Sequence, residues 1–110
     1  MWMIDPRLMC NKHLCGEHVE CHMFVGAILK NKNLNGYIKR GLLEVRSLKS
    51  RHDVLAEEMK NRGMKHVSEL KDFEHASINI CDGVVNNIVS IKELNERCIK
   101  CRDRINKYTI

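Results

Sequence analysis

The sequence predicts an all-α fold, a compact single-domain bundle of three main helices with irregular connections. Three observations carry this. In the middle and last thirds of the chain, apolar residues recur at three- and four-residue steps, the spacing of a helix with one buried face. No two segments alternate as a strand pair would, and no internal repeat is visible. The chain has 110 residues, one proline (Pro6) and no Ser/Gly-rich linker, so residues 1–110 are read as one domain.

Asp5-Pro6 is a good helix start, because aspartate can cap and proline at the first helical position loses no needed N–H. The first helix is expected from residue 6 to about residue 30. Gly16 and Gly26 lie inside it at roughly 1 kcal/mol each relative to alanine, which implies a packing reason for both. Residues 36–47 stay open between a helical turn at 37–40 and an extended piece at 42–45. Ser50 followed by Asp53 resembles a capping box. The helix it opens should run to Arg62 and stop at Gly63, with Leu48, His52, Leu55 and Met59 as its seam. Ser68 is a candidate cap for a short helix over 69–74. The last third reads as one long amphipathic helix through Cys81, Val84 or Val85, Ile88, Ile91, Leu94, Cys98, Cys101 and Ile105.

Hydrophobic residues make up 44% and charged residues 30%, the balance of a globular chain rather than a disordered one. No apolar run approaches the ~20 residues that span a bilayer. The first residues lack the basic and apolar regions of a signal peptide, so a soluble intracellular protein is expected. Nineteen Lys/Arg against fourteen Asp/Glu give +5, which suits a polyanion such as nucleic acid. Without an export signal, the six cysteines are expected reduced. Cys98 and Cys101 fall on the apolar seam and read as core, so no metal or other cofactor is expected. A zinc site there would need two more ligands from Cys10, His13, Cys15, His18 or Cys21.

At about 100° per residue, His13, Glu17, Glu20 and Phe24 share one face of the first helix. Leu14, Val25 and Leu29 lie roughly opposite, with His18 and His22 between. By themselves these positions read as a solvated acidic face and a pair of core histidines.

A resemblance changes that reading. The segment His13-Leu-Cys-Gly-Glu17-His-Val-Glu20, followed by Phe24-Val25-Gly26-Ala27-Ile28, resembles the active-site helix of the phage-type endonuclease V family of pyrimidine-dimer DNA glycosylases. Arg51-His52, Leu55, Glu58 and Arg62-Gly63 resemble that family's second long helix, with a weaker echo at His75-Ala76-Ser77-Ile78. The resemblance covers roughly residues 1–80 and implies a small basic helical repair enzyme without cofactors. It would act, as a monomer, on double-stranded DNA with damaged bases.

What the family implies here is specific. The chain's own α-amine, on Met1, attacks the anomeric carbon of the damaged nucleotide. The base departs, a Schiff base to the sugar forms, and β-elimination cuts the strand. Glu20 matches the catalytic carboxylate, which stabilises the cationic sugar and moves protons. His13 matches an active-site histidine that orients the sugar-phosphate or shuttles a proton. The family's flanking phosphate-gripping arginines correspond to Val19 and Met23, so that work passes to Arg7, Lys12, His18 and His22. Further phosphate contacts are expected from Arg46, Lys49, Arg51, Arg62, Arg102, Arg104 and Lys107, and stacking or wedging from Trp2 or Tyr108. Two other readings compete: a non-catalytic basic DNA-binding or viral structural protein on the same fold, and a zinc-stabilised interaction module.

Overall fold

The computed structural model describes residues 1–65, 68–77 and 83–108, and all regular structure among them is helical. A 3-10 turn at Pro6–Leu8 leads into the long helix α1, Asn11–Leu29. Short α2 (Asn35–Lys39) and a second 3-10 turn (Val45–Ser47) precede α3, Leu48–Asn61. The single turn α4 (Glu74–Ser77), then α5 (Asn87–Arg97) and α6 (Ile99–Tyr108), complete the chain. Helix α1 packs along α3, α5 on α6, and α6 on the Pro6–Leu8 turn. No helix among the described residues is long and apolar enough to cross a membrane.

The all-helical expectation holds, with local corrections. Asp5 does cap, accepting from the Arg7 N–H at 3.0 Å, but it caps the 3-10 turn. The backbone is extended at Met9 and Cys10, so α1 begins at Asn11, not at Pro6. Ser50 and Asp53 form no capping box. The Ser50 hydroxyl donates to the Ser47 carbonyl, and Asp53 pairs with Lys49. Gly63 ends α3 as expected, in the left-handed region at φ +74°. Residues 69–73 are not helical, and the short helix forms later, at α4. The expected last helix is two, interrupted at Cys98, while Cys81 and Ile78 lie outside the described residues.

The burial of α1 inverts the expected acidic face. Its buried residues are Leu14, Glu17, His18, Cys21, Phe24, Val25 and Ile28, a continuous stripe at helical spacing that includes a carboxylate and an imidazole. Valine and methionine take solvent positions instead: Val19 is 63% and Met23 50% exposed. The α3 seam is as expected, with Leu48, His52, Leu55 and Met59 all buried.

Candidate active site

Two anchors fix the N-terminal arm. Met1 buries its side chain, whose Sδ accepts from the Glu44 N–H at 3.4 Å, so the bulky first residue fills the core while its amine stays part-buried. The second anchor is buried. Glu17 (2% exposed) and Arg51 (5%) form a two-pronged ion pair at 2.6 and 2.9 Å. The same guanidinium donates to the Ile4 carbonyl at 2.6 Å and reaches Met9 Sδ at 3.5 Å. Arg51 was expected at DNA. Its burial commits it to holding residues 4–9 against α1 and α3.

The anchors bring the Met1 amine to Glu20. The amine donates to Glu20 Oε1 and, at 2.9 Å, to the Leu42 carbonyl. That carbonyl sits in a loop wired to the residues before α5. Glu44 Oε1 accepts from the Val85 N–H at 3.0 Å, and its other oxygen accepts from the Ser47 hydroxyl. Gly83, at φ +104°, lets the two strands of loop approach, since a Cβ there would lie 2.2 Å from the Leu43 carbonyl oxygen. A 230 Å³ cleft is lined by Met1, Trp2, Arg40, Leu42, Val89 and Glu93 among others, and Glu20 is not part of its lining. A larger cavity of 660 Å³, with Lys49, His52 and Ser68, does not include Met1 or Glu20.

His13 is placed differently from the expectation. It stands two helical turns, roughly 10 Å, from Glu20. Its Nδ1 lies 3.2 Å from Cys10 Sγ and 3.5 Å from Cys101 Sγ, and Trp2 meets its ring edge-on. Burial, then the nearby Lys12 charge, lowers its pKa.

His18 and His22 cluster with His52, ring centroids 4.7 to 4.9 Å apart. His52 Nε2 is 2.8 Å from the Ser68 carbonyl and its Nδ1 3.0 Å from Asp53. Burial first, then neighbouring imidazoles, depresses the pKa of His18 and of His22. His18 is buried, so it is not a surface phosphate contact.

The other basic candidates divide by what they already hold. Arg62 bonds Glu58, Asn11 and the Pro6 carbonyl. Arg102 donates to the carbonyls of Asn95 and Glu96, closing the end of α5, and Arg104 donates to the Arg7 carbonyl. Lys49 pairs with Asp53 and Arg7 with Asp5, both in solvent. Lys12, Arg46 and Lys107 are exposed, and Tyr108 lies against Arg7, Arg104 and Lys107. Sequence reasoning missed the Leu42 carbonyl and the place of Arg40 in the cleft. No spacing signals either, because a loop and a distant helix build that wall.

The model of the family described as pyrimidine dimer DNA glycosylase matches residues 1–72, the span that contributes Met1, Glu17, Glu20, Leu42 and Arg51. No curated protein and no solved structure matches the chain. Because the match takes in well over half of the chain, this protein belongs to the pyrimidine dimer DNA glycosylase family.

Proposed function

We propose that the protein excises the damaged base of a pyrimidine dimer in duplex DNA and cuts the strand, with the Met1 amine as nucleophile and Glu20 as carboxylate. The contact between the Met1 amine and Glu20 Oε1 supports this most directly. In a proton-poor moment the amine attacks the anomeric carbon, and the glycosidic bond pair leaves with the base. Glu20 accepts the proton lost from nitrogen and faces the positive charge that develops on the sugar. The C1′–O4′ bond then breaks, O4′ taking the proton from Glu20, and the opened sugar is held as an imine. The imine acidifies the adjacent C2′–H, and loss of that proton expels the 3′ phosphate.

Reaching the sugar requires extruding a base. Trp2, half-buried at the mouth of the cleft, is the side chain for stacking there, and Arg40 is the cation nearest the amine's cleft. Lys12, Arg46, Arg7 and Lys107 carry the looser phosphate contacts. His13 takes no chemical step in this reading, since its Nδ1 faces thiols.

Borohydride reduction in the presence of dimer-containing or abasic duplex tests the proposal. A covalent protein–DNA adduct is expected with the unmodified chain and, with Glu20→Gln, only at a rate lower by orders of magnitude. A chain of confirmed mass with a free Met1 that yields no adduct on either DNA would overturn it, favouring a non-catalytic DNA-binding protein.

A further inference from the structure

We propose that Cys10, His13, Cys98 and Cys101 bind one zinc ion that fastens the start of α1 to the start of α6. One ligand atom from each of the four lies within 4.8 Å of all the others. The separations fit the metal. Zinc bonds of about 2.3 Å to sulfur and 2.0–2.1 Å to nitrogen give tetrahedral edges of about 3.8 Å between sulfurs and 3.5 Å from sulfur to nitrogen. Here Cys10 Sγ lies 3.8 Å from Cys98 Sγ, and His13 Nδ1 lies 3.2 and 3.5 Å from the sulfurs of Cys10 and Cys101.

The backbone repeats one device on both sides. Cys10 (φ −68°, ψ 164°) and Cys98 (φ −128°, ψ 109°) are extended residues immediately before a helix, and the second ligand follows three residues on, in the first turn. Two backbone amides already point at sulfur: Cys10 N–H to Cys101 Sγ at 3.3 Å, and Cys101 N–H to Cys98 Sγ at 3.4 Å.

Core packing accounts for less. It does not explain why an imidazole nitrogen is turned toward thiols. Nor does it explain why the chain breaks between α5 and α6, where residues 87–108 contain neither glycine nor proline. A sulfur separation of 3.8 Å is also far from the ~2.05 Å of a disulfide. The second histidine cluster, His18, His22 and His52, offers three ligands, and His52 is already engaged by Ser68 and Asp53. Zinc at the first site would couple the end of the N-terminal arm to a C-terminal segment outside residues 1–72. It stands or falls apart from the glycosylase chemistry.

The test is metal content of the full chain purified without chelators, then replacement of zinc by cobalt(II) and by cadmium-113. Near-stoichiometric zinc, tetrahedral cobalt bands with thiolate-to-metal charge transfer, and a cadmium resonance typical of three sulfurs and one nitrogen are expected. Cys98→His should retain the metal with weaker charge transfer, the Cys98→Ser/Cys101→Ser pair should lose it, and Cys15→Ser should change nothing. A chain that takes up no zinc, cobalt bound without charge transfer, or a Cys10–Cys98 disulfide in protein purified without reductant or chelator would each overturn the proposal. So would metal that survives Cys98→Ser/Cys101→Ser and disappears in His18→Gln/His52→Gln. If the serine pair does not fold, the cobalt and cadmium spectra of the unmutated chain decide alone.

Discussion

Glu20 and Glu17 sit one helical turn apart on α1, yet their surroundings give them opposite work. Glu20 is about one-third exposed and meets the Met1 amine, so Glu20→Gln should cost little stability. It should lower the rate of borohydride-trapped adduct by roughly 10²–10⁴-fold, the usual scale for a lost acid–base group. Glu17 is sealed against Arg51. Arg51→Met leaves a buried carboxylate without its partner and should destabilise the fold by about 3–5 kcal/mol in urea unfolding. The pair replacement Glu17→Leu/Arg51→Met should recover part of that loss, and failure to recover any would argue against the ion pair as the cause. Periodicity could not separate these two carboxylates, because it assigns every charge to the surface. Glu20 was singled out only through its resemblance to a family motif, whereas the buried role of Glu17 depends on a residue 34 positions away.

The histidines add a pH dependence at the same scale. His18 and His22 have depressed pKa values in the folded chain, so the unfolded chain binds protons more readily. The groups facing them are His52, the Ser68 hydroxyl at 3.4 Å from His22 Nε2 and, through His52, Asp53. Their contribution to stability is therefore complete above the unfolded histidine value of about 6.5 and lost progressively as pH falls below it. Thermal unfolding between pH 8 and 5 should show Tm dropping through that window. The drop should shrink when His18 and His22 are replaced by glutamine in a variant that still folds.

At the scale of elements, the loops place the amine as much as α1 does. Residues 41–44 supply the Leu42 carbonyl, and Gly83 allows residues 83–85 to pack against them. Gly83→Ala would meet the Leu43 carbonyl and force an L-residue to positive φ, a strain of about 1–3 kcal/mol. The expected result is a loss of stability of that order together with slower adduct formation, although residue 83 does not line the cleft. Unchanged trapping kinetics would show that the loop does not set the amine's position. The start signal at Asp5 and the stop at Gly63 were readable, since each acts through its own backbone. The break at Cys98 was not readable, because nothing local interrupts the apolar spacing there and the residues that meet this segment, Cys10 at Cys98 and His13 at Cys101, come from the distant start of α1.

For the whole molecule, charge and shape set how it meets a duplex. The chain carries +5 in a flattened body of 40 × 30 × 17 Å. Much of that charge is already used internally, by Arg51, Arg62, Arg102 and Arg104. The composition announced a polyanionic partner and could not announce which cations stay free. Binding to undamaged duplex should weaken linearly with the logarithm of salt, and Arg40→Ala should reduce that slope by about 0.9, one phosphate contact. An unchanged slope would remove Arg40 from the interface. Val19 and Met23 are exposed beside Glu20, where the resemblance implies arginines. The proposed chemistry turns above all on which nitrogen reacts. Reduced adduct digested and mapped by mass spectrometry should carry the sugar remnant on the α-nitrogen of Met1. A remnant on a lysine side chain, with Met1 unmodified, would contradict it.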